Sequence, residues 1–91
     1  MKFDFPARAN IALVGRTRDD CEDWAKALKP EADAKGCSLQ IIAQLYDLED
    51  MARSHYDVVI LVPGMDPSAR ETVVWTGKRG NSNIAVIELP G

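Results

Sequence analysis

Four apolar runs, rich in β-branched residues, are spaced along the 91-residue chain by polar stretches long enough for helices. They are Ile11–Val14, Leu39–Ala43, Asp57–Val62 and Ile84–Leu89. The third reads DVVILV, almost unbroken in Val, Ile and Leu, the pattern of a strand covered on both faces. The first, IALV, is shorter and equally apolar. Strands that alternate with helices predict a parallel sheet.

Between the first two runs, Cys21, Trp24, Ala25 and Leu28 recur at helical spacing. They predict a helix from about Asp19 with one apolar face, capped by Thr17 or Asp19. Pro30 interrupts it, at a cost of about 3 kcal/mol for an interior proline. A kink or a fresh turn is expected there, ending at Gly36. A second, short helix is expected over about Leu48 to Ser54. A third opens at Asp66-Pro67, with Asp66 as N-cap and Pro67 in the first turn. It should run to about Thr76 and stop at Gly77, leaving KRGNSN as a turn. The first nine residues read as an arm tacked down by Phe3 and Phe5.

These elements predict a single α/β domain over residues 1–91 on the flavodoxin-like, three-layer plan. Right-handed crossovers give a four-stranded parallel sheet in the order 2-1-3-4 with three helices. The topological switch then falls between strands one and three. Ligands of open α/β sheets sit there, beyond the carboxyl ends of the strands. In this chain the place is Gly15–Asp19 together with Pro63–Ser68.

Composition narrows the function classes. With 46% hydrophobic and 27% charged residues, the chain has the makings of a folded domain rather than a disordered one. It is too short for two cores. A net charge of −3 argues against nucleic acid, which needs a basic face, and against a membrane surface. No apolar run approaches the roughly 20 residues that span a bilayer, and MKFDFPARAN lacks the apolar core of a signal peptide. Cys21 and Cys37 form neither a metal-binding pair nor a disulfide scaffold. The expectation is a cytoplasmic protein with no metal and no cofactor.

At the switch point the first loop reads VGRTRDD. Gly15 permits a tight turn, Arg16 and Arg18 can face an anion, and Thr17 offers a hydroxyl near a helix N-terminus. A single glycine is neither a dinucleotide fingerprint nor a P-loop, so helix entry competes with anion binding. The second loop, VPGMDPS, places Gly64 in a turn and Asp66 at a helix start. Cys21 falls on the apolar stripe, as a buried thiol would. His55, the only histidine, has no nucleophile in readable register and fits a surface role. Lys78 and Arg79, with Arg70 not far off, fit a solvated basic turn. Trp75 competes with Val73 and Val74 for the sheet-facing side of its helix. If Trp75 is the residue left outside, it marks a partner surface. The last run, with Ile84 and Val86, reads as an apolar edge strand that invites pairing.

Two family resemblances follow from these residues. The stretch Ala34–Met65, AKGCSLQIIAQLYDLEDMARSHYDVVILVPGM, with the later IAVIELPG, resembles the IIB subunits of the lactose/cellobiose class of the sugar phosphotransferase system. That resemblance implies the same fold and a phosphoryl-carrier activity. The family carries its cysteine immediately after strand one, where Gly15 stands here, and Cys21 lies about six residues on. The PGMD of Pro63–Asp66 resembles the loop after the phosphoacceptor strand of response-regulator receiver domains. The receiver's acidic pair and phosphoacceptor have no counterparts: Gly15 and Arg16 follow strand one, and Leu61 and Val62 end strand three. Without them there is no oxygen cage for magnesium.

The expected function is therefore a non-catalytic regulatory or protein-binding domain, a degenerate receiver- or IIB-like module. It would act through Trp75, Ile84 and Val86 on a protein partner or as a homodimer. The alternatives are a IIB-type phosphoryl carrier and a small-anion or phosphate-binding domain at Gly15, Arg16, Thr17, Arg18, Gly64 and Asp66.

Overall fold

The computed structural model describes residues 5–43, 53 and 55–90. Its elements are β1 (Asn10–Val14), α1 (Arg18–Ala34), β2 (Ser38–Ile42), β3 (Val58–Leu61), α2 (Pro67–Gly80) and β4 (Ala85–Glu88). The expected short helix over Leu48 to Ser54 lies outside the described residues, as does Phe3.

All four strands are parallel and lie in the order β2-β1-β3-β4. The register aligns Ile41, Leu13, Ile60 and Ile87 in one row across the sheet. Leu13 and Ile60, on the central strands, are fully buried, and the row packs into a cluster with Cys21, Leu28 and Ala32 of α1. The next row, Gln40, Ala12, Val59 and Val86, turns to the other side. There Ala12 and Val59 pack in a second cluster with Val73 of α2, Tyr56 and Ile84. The period-two alternation of β1 and β3 therefore feeds two cores, which is why both strands are apolar throughout.

Thr17 caps α1: its hydroxyl accepts a hydrogen bond from the Asp20 amide at 3.2 Å. Pro30 does not divide this helix, which runs through it as one 17-residue element. An interior proline removes one amide donor and crowds the preceding turn, but Pro30 lies on the exposed side and the turns on either side of it bury Leu28 and Ala32. The end of α1 is a Schellman arrangement. Gly36, at φ 71, and Cys37 donate to the Asp33 and Ala32 carbonyls at 3.1 and 2.8 Å. The arm is held across this turn. Phe5 is buried, the Lys35 ammonium donates to its carbonyl, and the Cys37 thiol donates to the Pro6 carbonyl.

Helix α2 starts at Pro67 as expected but continues to Gly80, one turn past Gly77. Gly77 is buried inside it with Val73 and Thr76. The Asn81 amide closes on the Gly77 carbonyl at 3.0 Å. A helix-interior glycine costs about 1 kcal/mol, an amount that packing of this face outweighs. Lys78–Gly80 are helical, and only the residues from Asn81 onward turn.

Candidate functional site

Because β1 pairs directly with β3, the two loops of the switch point meet at one end of the sheet. The Val62 amide donates to the Val14 carbonyl at 2.8 Å, and the Gly15 amide to the Ile42 carbonyl at 3.3 Å. A Cβ on Gly15 would lie 2.6 Å from the Cys21 sulfur and 3.2 Å from Cβ of Val62. Glycine is required here so that α1 can seat its sulfur against the end of β1.

Cys21 itself is fully buried. Burial pushes its thiol from the ordinary 9.0 up to about 11, with the nearby Asp20 carboxylate adding to the rise and Arg18 opposing it. At neutral pH the sulfur is protonated and enclosed, the opposite of an activated nucleophile. Thiol reagents at neutral pH are therefore expected to leave Cys21 unmodified in the folded protein and to label it on unfolding. The raised value also sets a sign for pH. An unfolded thiol ionises near 9 and the folded one only near 11. Stability is thus unaffected by this group below pH 9 and declines as the pH rises from there toward 11.

The other residues of the first loop divide. The Thr17 hydroxyl oxygen is engaged as the α1 cap, while Arg16 and Arg18 are exposed. In the second loop Gly64 adopts φ +103 with open space where a Cβ would lie, a conformation that favours glycine. Asp66 occupies the N-cap position of α2 but makes no capping hydrogen bond through its side chain. Asp66 is also one of the residues that line a hollow of about 300 Å³. Val14, Ile42, Ala43, Met65, Ala69 and Val73 line it, with Arg16 and Thr72 as further polar members of the lining. Sequence reasoning did not single out Ala69, Thr72 or Ile42 for this place. Their signal was the Met65, Ala69, Thr72, Val73 spacing, which lays one side of α2 over the strand ends.

His55 is exposed at the other end of the sheet, before β3, with Nε2 3.5 Å from an oxygen of Asp57. The second Asp57 oxygen accepts from the Asn10 amide at 2.9 Å, so this pair fastens the strand starts. Among the described residues no group of three His, Cys, Asp or Glu is placed to hold a metal ion, and no helix is long and apolar enough to cross a membrane.

The α2–β4 side is different in character. Trp75 is 63% exposed, and among the described residues Val86 is the other large hydrophobic residue that is exposed. The Arg79 guanidinium carbon lies 5.0 Å from the Trp75 ring centroid, within cation–π range. Arg70 of α2 is ion-paired with Glu88 of β4. Pro67, Arg70, Glu71, Val74, Trp75, Lys78 and Glu88 line a shallow groove between helix and strand. Lys78 and Arg79 thus belong to a helix beside an aromatic ring, not to a free turn. Ile84 does not belong to this surface. It is 6% exposed and packs with Tyr56 and Val73, because it precedes β4 and its amide turns back to the Asn81 carbonyl at 3.1 Å. Set against known proteins, the chain significantly matches no protein-family model, no curated protein and no solved structure.

Proposed function

We propose that this chain is a non-catalytic, cytosolic regulatory domain on the flavodoxin-like plan that works by binding protein, with a second copy of itself as the partner. The observation that carries the reading is Trp75, a large aromatic ring 63% exposed on a helix whose neighbouring residues are packed. Aromatic and arginine side chains are the ones enriched in interface cores and hot spots. Beside it, β4 pairs with β3 alone among the described residues, so its outer edge offers unpaired backbone groups to an incoming strand. The surface carries both signs of charge: Arg70, Lys78 and Arg79 stand with Glu71 and Glu88. A two-fold contact brings each residue of a patch against the same patch, and a mixed patch is complementary to itself.

A IIB-type phosphoryl carrier needs an accessible thiolate, and the enclosure of Cys21 gives that reading little support. Anion binding at Gly15, Arg16, Thr17, Arg18, Gly64 and Asp66 fares little better, because the Thr17 hydroxyl caps α1 and Asp66 brings negative charge.

Sedimentation velocity over a wide range of concentrations tests the proposal. The wild-type protein is expected to pass from monomer to dimer. W75K is expected to weaken dimerisation at least about thirtyfold, as loss of a hot spot of about 2 kcal/mol does. Its melting temperature should move by only a few degrees, because exposed positions change stability by about 0.5 kcal/mol or less. A wild type that stays monomeric throughout, or a W75K that dimerises equally well, overturns it.

A further inference from the structure

The hollow at the carboxyl ends of β1 and β2 lies apart from the Trp75 surface, and nothing in the dimer reading uses it. Its lining includes Val14, Ile42, Met65, Ala69 and Val73, all apolar, together with one cation and one anion, Arg16 and Asp66. Neither charge is spent within the fold: among the described residues neither forms an ion pair, and Asp66 does not use its carboxylate as the α2 cap. A ligand that neutralises both must carry a carboxylate and an ammonium. A ligand that fills the remainder must be apolar. The volume of about 300 Å³ is at the lower end of the range of about 300–1,000 Å³ found for small-molecule sites. A nucleotide's phosphates would meet the negative charge of Asp66.

We infer that this hollow binds a free α-amino acid with an aliphatic side chain, of the size of leucine or isoleucine. Arg16 receives the carboxylate, in the planar two-point geometry that guanidinium groups favour. Asp66 accepts hydrogen bonds from the ammonium group; the Thr72 hydroxyl donates to the Ser68 carbonyl at 3.0 Å and so contributes no donor to the ligand. The side chain lies on Val14, Ile42 and Val73. The site needs no covalent chemistry, which suits a rim without an available thiol. It also borders the place where the strand order reverses, the general place for ligands in open α/β sheets. Gly15 and Arg16 after β1, and Met65 and Asp66 after β3, are in its lining.

Calorimetric titration of the full chain with L-leucine, beside isocaproate, isoamylamine and glycine, tests the assignment. Isocaproate lacks the ammonium, isoamylamine the carboxylate and glycine the apolar tail. L-leucine is expected to bind, and each of the three analogues to bind roughly tenfold more weakly or worse, as loss of a charged hydrogen bond or of the buried tail implies. R16A and D66N alter exposed residues, so both fold, and each should lower leucine affinity roughly tenfold or more. A69F, which places a ring across the hollow, should abolish binding with the melting temperature retained. The inference is overturned if leucine fails to bind at millimolar concentration, if isocaproate or isoamylamine binds as tightly as leucine, or if R16A and D66N leave its affinity unchanged. Oligomeric state is not the readout, so failure here leaves the dimer reading standing, and the reverse.

Discussion

Ile60→Ala is expected to lower stability by about 2–5 kcal/mol, the usual cost of truncating a buried isoleucine to alanine. A domain of this length holds on the order of 5–14 kcal/mol in all, so the change takes a large share of it. The melting temperature should fall by about 10 °C or more. Ile60 sits on β3 with β1 on one side and β4 on the other, paired in register with Leu13 and Ile87. It is fully buried beneath α1. The surrounding strands are held by their backbone ladders and cannot collapse into the space left, so the cavity persists. Val86→Ala on the edge strand is the control. Val86 is 38% exposed, and its truncation should cost about 0.5 kcal/mol or slightly more. Equal losses at the two positions in denaturant titrations would contradict the order of the strands.

Gly15→Ala is expected to cost about 1–3 kcal/mol, the usual range for overpacking a filled core. The added methyl carbon would stand 2.6 Å from the Cys21 sulfur, closer than non-bonded atoms approach. Cys21 is fully buried on a helix that continues for three further turns and more, so its sulfur has no free direction in which to move. The clash makes a specific forecast of non-additivity. Cys21→Ala alone leaves a small void, but combined with Gly15→Ala it removes the obstruction. The double variant should therefore be more stable than Gly15→Ala alone, with a coupling of about 1 kcal/mol or more. Additive losses in equilibrium unfolding would mean that Gly15 is needed for some other reason.

The sheet was legible in the sequence because its two central strands are buried on both faces. A run such as DVVILV admits no reading that leaves one side in water, and the turn residues around it then dictate crossovers and strand order. The limits of the helices were less legible. Gly77 reads as a stop and Pro30 as a kink or a fresh turn, yet each lies inside a continuous helix, since the local cost of proline or glycine is outweighed when the flanking turns pack. Trp75 posed the reverse difficulty. Composition sets it against Val73 and Val74, but only the placement of α2 on the sheet shows that Val73, Thr76 and Gly77 face inward. Two positions beyond Val73 at about 100° per residue, Trp75 is carried round to solvent. Ile84 reads as a surface residue in the sequence but is buried, because alternation along an edge strand says nothing of the residue before the strand begins.

The candidate site was legible in location and not in chemistry. The strand order places the Gly15 and Pro63 loops together, and they do meet. Gly15 looked like a turn for an anion, whereas its Cβ-free face is filled by the sulfur of a residue six positions on. Such a contact between a loop and the first turn of a helix has no periodic signature. Asp66 reads as an N-cap and holds that position, but its side chain makes no capping hydrogen bond and the residue lines the hollow.

In the proposed assembly the ring of Trp75 is in water in a lone domain and covered in a dimer. The chain has two tryptophans, and in Trp24→Phe the fluorescence reports Trp75 alone. The emission maximum of that variant is predicted to be that of a hydrated indole at high dilution and to move to shorter wavelength as concentration rises. A maximum that stays at the hydrated position at every concentration, or at the buried position even at the greatest dilution, would contradict it.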